Sequence, residues 1–187
     1  MKITGKWLRE QGACGSGTEW FLNQRASKLE TVVMKLLKEN HSDWANWVIV
    51  RFMSYTQKVS YALFAAEQVL HLFEAEYPAD KRPHEAIEAA RRFIEQPTKD
   101  NRRTANVAAN AAYAAANAAY AAANAANAAA NAANAAYAAA NAANAYANAA
   151  YAVANAADAV YAADAKQKLK EKITLYGLKL LYKKETK

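Results

Sequence analysis

Hydrophobic residues recur at intervals of three and four along the first hundred residues, which predicts short amphipathic helices. Leu29, Val33, Leu36 and Leu37, for example, would share one face of such a helix. The chain contains only 5 Gly and 3 Pro, too few turn-forming residues for an all-β sandwich or barrel. The pattern therefore predicts an all-α fold that opens with a helical bundle or short solenoid over residues 1–98.

Capping residues predict where these helices begin and end. Four hydroxyl residues stand at helix-start positions, the first two with a glutamate three residues later: Ser16, Ser27, Ser42 and Thr56. The helix that follows Thr56 is expected to continue unbroken to the residue before Pro78. Asn40 suits the left-handed residue that ends a helix, and Pro83 suits a first turn.

A low-complexity tract from Thr104 to Lys166 consists almost wholly of Ala, Asn, Tyr and Asp. Its polar residues follow one another at steps of three and four, and no Gly or Pro occurs between Pro97 and Gly177. Because Ala is the strongest helix former, residues 99–165 are predicted to be a helical repeat. An unbroken helix of about 60 residues would be about 90 Å long, whereas breaks at Asn would fold the tract into hairpins. Both arrangements fit the pattern.

The Asn and Tyr side chains of the repeat form a stripe that is expected to contact a partner protein. Ala faces let helices approach closely, so we expect them to pack against other helices and to leave the stripe at the rim. They would also allow two copies of the chain to pair. Burying the stripe instead would require a partner for every amide, and a blander alternative is that the stripe only keeps the helix in solution. The candidate partner-binding residues are Asn110, Tyr113, Asn117, Tyr120, Asn124, Asn127, Asn131, Asn134, Tyr137 and Asn141.

The formal net charge of +7 is concentrated at one end of the chain. Residues 166–187 hold eight Lys and two Glu, so the rest of the chain carries a net charge of only +1. We therefore expect no nucleic-acid partner. Leu169, Ile173, Tyr176 and Leu180 recur at helical spacing in this segment, which predicts a closing amphipathic helix that docks back on the bundle with its Lys side chains solvated.

No group of catalytic or metal-ligating residues stands out in the sequence. His41, His71 and His84 lack the spacings of helical metal sites, and His71 with Glu74 is an ordinary helical pair. The single cysteine, Cys14, excludes a disulfide framework, and a buried structural thiol is the commoner outcome for such a residue. We expect no metal and no cofactor, and we predict that the protein is not an enzyme.

All four Trp lie within the first 50 residues: Trp7, Trp20, Trp44 and Trp47. Because Trp buries a large apolar area, the main hydrophobic core is expected in this part of the chain. Burial preference favours core anchoring over a role in stacking on a ligand, which is the alternative.

Neither a secretion signal nor a membrane span is expected. No apolar run of signal-peptide length follows the first Lys residues. The Ala tract is long enough to span, but a polar residue at every third or fourth position makes insertion costly. We therefore expect a cytoplasmic protein.

Several blocks of the sequence share one family pattern: Trp7–Leu8, Gly12–Cys14, Trp20–Phe21, Asp43–Trp47, Tyr61–Leu70, Lys81–Ala90, the Ala-rich repeat and Tyr176–Leu181. Together they resemble the immunity-5-like family of bacterial and phage proteins over nearly the whole chain. The resemblance implies an immunity role and brings no catalytic residues with it.

The leading hypothesis is a non-catalytic immunity or counter-defence protein that neutralises a partner protein by direct contact. Tyr and Asn suit the contact because they supply surface area and adaptable hydrogen bonds at low entropic cost. The alternatives are an ice-binding or surface-binding Ala-rich helix, a purely structural helical protein, and an enzyme that uses Cys14. The lack of a regular Thr array counts against ice binding.

Overall fold

The computed structural model describes residues 1–107, 110, 131, 134, 135, 137, 156 and 163–183. Seven helices precede residue 98: α1 (Gly5–Glu10), α2 (Gly15–Leu22), α3 (Leu29–Lys38), α4 (Ser42–Phe52), α5 (Tyr55–Glu67), α6 (Leu70–Glu76) and α7 (Arg82–Glu95). Residues 99–107 are helical, as are the isolated described residues of the repeat, and α8 spans Ala163–Tyr182. No strand occurs in these described ranges, so the predicted all-α class is confirmed. The division into residues 1–98, 99–165 and 166–187 stays a prediction.

Helices α4 and α5 form the centre of the core. α3 packs against α4, α7 packs against α5, and α8 packs against both α4 and α5. The predicted face of α3 is confirmed, because Leu29, Val33, Leu36 and Leu37 are all buried. Near the start of the chain, Lys2 and Lys28 form an isolated antiparallel bridge beside the buried Ile3.

The closing helix docks on the bundle as predicted, although its buried line differs from the predicted one. Ile173 is fully buried, but the other three residues of the predicted stripe are only half-buried: Leu169, Tyr176 and Leu180. The buried line instead consists of Ile173, Thr174, Gly177, Leu178 and Leu181. The helix is thus rotated so that its small residues, Thr174 and Gly177, face α4 and α5.

Gly177 allows α8 to lie unusually close to its neighbours. A Cβ atom at this position would be 2.5 Å from Tyr61 Cε2 and 2.7 Å from Ile49 Cδ1. Both side chains are fully buried, so neither has free space to move into. A glycine inside a helix costs about 1 kcal/mol relative to alanine, and here the close packing offsets that cost.

A polar contact lies beside this close approach. The Tyr61 hydroxyl donates a hydrogen bond to Asn46 Oδ1 at 3.0 Å, and both side chains are buried. Burial raises the pKa of Tyr61, so its hydroxyl stays protonated and keeps donating. Such a buried bond is costly to break from one side only, because the remaining partner loses its solvation without compensation. The pair therefore fixes the relative register of α4 and α5.

Further contacts join α8 to the bundle around its edges. Gln57 Nε2 donates to the Leu180 carbonyl at 2.7 Å, and Gln167 Nε2 donates to Ser42 Oγ at 2.8 Å. Tyr176 stacks on Phe64 with ring centres 3.9 Å apart. Not all Lys side chains of the helix are free in solvent, since Lys170 and Lys172 bond to residues of the bundle.

Two predicted helix starts are wrong because their serines have other roles. The Ser27 carbonyl accepts a hydrogen bond from Ile3 N at 2.7 Å in the bridge region, and α3 begins after Lys28 without a side-chain cap. Ser42 is a buried residue of α4 itself, and His41 occupies the N-cap position. The predicted stop at Asn40 is confirmed by its left-handed φ of 61°.

The predicted long helix from Thr56 is in fact two helices. Ser54, not Thr56, caps α5, and it forms a capping box with Gln57. The break falls at Gln68 and Val69, whose N–H groups donate to the carbonyls three residues back. No Gly or Pro marks this break, so tertiary packing of the buried Val69 overrides local helix propensity. The predicted first-turn Pro83 of α7 is confirmed.

Ala side chains of the repeat contribute to the core. Ala105, Ala135 and Ala156 are each at most 1% exposed, and the last two belong to the main hydrophobic cluster. Small methyl groups allow close helix contacts. The burial of these three side chains agrees with the expectation from the sequence that Ala faces pack against other helices.

We expect Gly177→Ala to destabilise the protein. The added methyl group would overlap the Tyr61 ring, and overpacking typically costs about 1–3 kcal/mol. Because the buried Tyr61 and Ile49 side chains have no free space, we expect a cost near the upper end of that range, which exceeds the roughly 1 kcal/mol gained in helix propensity. Urea denaturation followed by far-UV circular dichroism measures the free energy of unfolding. Gly15→Ala in α2 is the matched control, because a Cβ there would meet no atom within 4 Å. Equal or greater stability of Gly177→Ala would contradict this packing account.

Candidate functional site

The turn between α1 and α2 places Cys14 at the start of α2. Gly12 has a left-handed φ of 71°, which ends α1 and redirects the chain. The backbone N–H of Gly17 then donates to Cys14 Sγ at 3.3 Å, and this sulfur lies 3.5 Å from Ser16 Oγ. Cys14 is therefore the N-cap of α2, and the predicted cap at Ser16 is wrong.

The Cys14 thiol is exposed, so the expectation of a buried structural cysteine is wrong. The turn carries the residue over the surface instead of into the core. Hydrogen bonds from Ser16 and from the Gly17 N–H lower the pKa of Cys14 below its ordinary value, because they stabilise the thiolate. The thiolate is the nucleophilic form of cysteine, so this side chain is more reactive near neutral pH than an unassisted thiol.

A cluster of aromatic rings lies next to this turn. Trp20 and Trp44 meet edge to face with ring centres 6.4 Å apart, and the His41 ring stacks on Trp44 at 4.3 Å. The Trp20 indole N–H donates to a Glu39 carboxylate oxygen at 2.6 Å. These contacts hold both indole rings in fixed orientations.

A second group of rings continues along α4. Trp7 stacks on Phe52 at 4.7 Å and meets Trp47 edge to face at 6.4 Å. The Arg51 guanidinium lies 3.5 Å from the centre of the Trp47 ring, a cation–π contact. All four Trp side chains are half-buried and pack against the core from outside, so they anchor it without lying at its centre.

The first four helices enclose an apolar pocket of about 320 Å³, here called the tryptophan pocket. The exposed part of its lining includes Cys14 and Asp43, and Trp20, Trp44 and Trp47 form half-buried walls. Its buried wall is formed by Ile3, Leu8, Phe21, Val32, Leu36 and Val48. The sequence signals that could have indicated it are the four clustered Trp and the glycines around Cys14.

The other titratable residues that the structure describes do not combine into a recognisable centre. Glu74 pairs with His84 Nδ1 at 3.2 Å and not with its helical neighbour His71. Within the described ranges, no three His, Cys, Asp or Glu side chains are grouped so that they could hold a metal ion. The same residues contain no helix that is both long and apolar enough to cross a membrane.

Four of the ten candidate partner-binding residues lie in the described part of the repeat. Asn110 is exposed, whereas Asn131, Asn134 and Tyr137 are half-buried. Asn131 and Tyr137 also make interactions within the chain. The other six lie outside the described residues: Tyr113, Asn117, Tyr120, Asn124, Asn127 and Asn141. None of the four described candidates is among the described lining residues of the tryptophan pocket.

These features define an all-α protein. Its core is completed by α8, which lies far along the chain from α4 and α5, and an Ala-rich repeat precedes α8. The chain belongs to the family described as Imm-5 like putative immunity protein, whose model matches residues 51–177, about two thirds of the chain. The resemblance expected from the sequence is confirmed over this range, which includes the whole repeat. The matched range begins after the opening blocks around Trp7 and Asp43, so it does not include them. A search of curated proteins and a search of solved structures each gave no match.

We expect Ser16→Ala to slow alkylation of Cys14 near neutral pH. Loss of the Ser16 hydrogen bond removes the largest cause of the lowered pKa, so the rate profile shifts to higher pH. Iodoacetamide labelling followed by intact mass spectrometry measures this rate at a single site, because Cys14 is the only cysteine. Ser27→Ala provides the same substitution at another exposed serine. Identical pH profiles for the wild type and Ser16→Ala would refute the assignment.

Proposed function

We propose that this protein is a non-catalytic immunity or counter-defence protein that neutralises a partner protein by direct contact. The observation that carries the proposal is the family match, which extends over residues 51–177 and thus across the entire Ala-rich repeat. An immunity protein acts by occupying its partner, so it requires a contact surface and no reaction chemistry.

The contact surface in this proposal is the Asn and Tyr stripe of the repeat. Support comes from Asn110, whose side chain is exposed, while Ala135 and Ala156 of the same tract are buried. Buried methyl groups anchor a helix to the core by one face, and in this proposal the exposed amide of Asn110 is the described part of the stripe that a partner contacts. Tyr and Asn side chains then supply contact area and adaptable hydrogen bonds.

A charged partner surface is not required by this proposal. The repeat from residue 104 to residue 165 contains no Lys, Arg or Glu and only two Asp, Asp158 and Asp164. Affinity would therefore depend on shape and hydrogen bonding, and it should change little with salt concentration.

The partner can be captured from the native host by placing a photo-crosslinking amino acid at Asn110. Mass spectrometry identifies the crosslinked protein, and the same crosslinker at Asn23 gives the background, since Asn23 is exposed directly after α2 and outside the matched range. The captured protein is then expressed alone and together with this chain. Neutralisation predicts that growth inhibition by the partner disappears on co-expression.

We expect Asn110→Arg to weaken binding of the captured partner by at least about tenfold, or about 1.4 kcal/mol. A long charged side chain in a contact built from Asn and Tyr would be desolvated without a counter-charge. Isothermal titration calorimetry measures the Kd, and Asn23→Arg should leave it within about twofold. Equal affinities of the two variants would show that the stripe near Asn110 is not the binding face.

A further inference from the structure

The tryptophan pocket lies in a part of the chain to which neither the family match nor the proposed partner contact assigns a role. Its lining extends from Ile3 to Val48, whereas the matched range begins at residue 51. The pocket is nevertheless a well-defined concave site, and its size and lining define the chemistry of an occupant.

The volume indicates the size of that occupant. An apolar cavity of about 150 Å³ accepts one benzene ring, and pockets for small molecules begin at about 300 Å³. The tryptophan pocket, at about 320 Å³, has roughly twice the benzene-sized volume. It therefore fits a molecule with two fused rings.

The lining indicates that the occupant carries no charge. The buried wall is entirely aliphatic or aromatic, and Asp43 is the only charged residue among the described lining residues. The Asp43 side chain is 79% exposed, and its carboxylate already contacts Lys170 Nζ at 2.8 Å. An ionised ligand would lose its hydration in this pocket without gaining a counter-charge.

The walls favour a flat ring, and contacts within the chain hold them in place. Trp20 is fixed by its bond to Glu39, and Trp44 is fixed by the stacked His41 ring. The absence of a side chain at Gly17 keeps the mouth open, because a Cβ there would lie 3.1 Å from Cys14 Sγ and 3.8 Å from the Trp44 ring. Indole faces and edges pack well against other aromatic rings.

We propose that the tryptophan pocket binds a small, uncharged, flat aromatic molecule of two fused rings, of the indole or naphthalene type. The ligand inserts its rings between the tryptophan walls and the buried apolar wall. Any polar group of the ligand points toward the mouth at Cys14.

Titration of the full chain with indole tests the proposal, with ¹⁵N NMR of the four tryptophan side-chain N–H groups as the readout. Saturable shifts are expected at Trp20, Trp44 and Trp47, which line the pocket. Ala13→Phe adds a ring at a half-buried lining position and should weaken indole binding at least about tenfold. Ala26→Phe is the matched control at a half-buried position outside the lining, and it should change the affinity less than about twofold.

Three results would overturn the proposal. They are the absence of saturable shifts up to the solubility limit of indole, equal weakening by both alanine variants, and binding of indole-3-acetate as tight as that of indole. The last result would show that a charged group is accepted. Circular dichroism of each variant verifies folding, and Ala13→Leu, with a smaller added side chain, replaces Ala13→Phe if the latter does not fold.

Discussion

The close approach of α8 to α4 and α5 at Gly177 is the constraint on which the rest of the fold depends. Nothing larger than a hydrogen atom fits between the α8 backbone and the buried Tyr61 and Ile49 side chains. With the helices this close, Ile173 and Leu178 reach the main core and lose their contact with water. Without α8, the apolar faces of α4 and α5 would be exposed, so the bundle of the first hundred residues is incomplete by itself.

Helix α4 takes part both in the tryptophan pocket and in the contact with α8. Its Trp44, Trp47 and Val48 side chains line the tryptophan pocket, while its Ile49 side chain faces Gly177 of α8. The ion pair between Asp43 and Lys170 joins the mouth of the pocket to α8 directly. The family-matched part of the chain and the pocket outside it therefore share one rigid element.

The fold class and the buried face of α3 could be predicted from the sequence because they depend on local periodicity. The α3 face, the stop at Asn40 and the first-turn Pro83 are all short-range signals, and all three are confirmed. The errors arose where distant contacts decide the local structure. Ser27 takes part in a bridge with the start of the chain, and the break at Val69 follows burial rather than a helix-breaking residue.

The same distinction between local signals and distant contacts applies to the candidate sites. The exposure of Cys14 depends on the turn between α1 and α2. The tryptophan pocket depends on how four separate helices meet, and a single sequence contains no record of that arrangement. Four clustered Trp indicated a core, and only the structure shows that the half-buried rings of three of them, Trp20, Trp44 and Trp47, also form walls around a space. The family resemblance, by contrast, depends on sequence blocks alone, and it could be recognised without coordinates.

The order of elements along the chain has a consequence for synthesis. Nearly a hundred residues separate α5 from α8, the helix that covers it. At a translation rate of about 5–20 residues per second, roughly 5–20 s pass between the emergence of these two helices from the ribosome. During that interval the unpaired faces of α4 and α5 are open to chaperones and to other nascent chains. Each residue added to the repeat would lengthen this interval by the same amount of time. The entropic cost of closing the loop between α5 and α8 would rise only slowly with the added length.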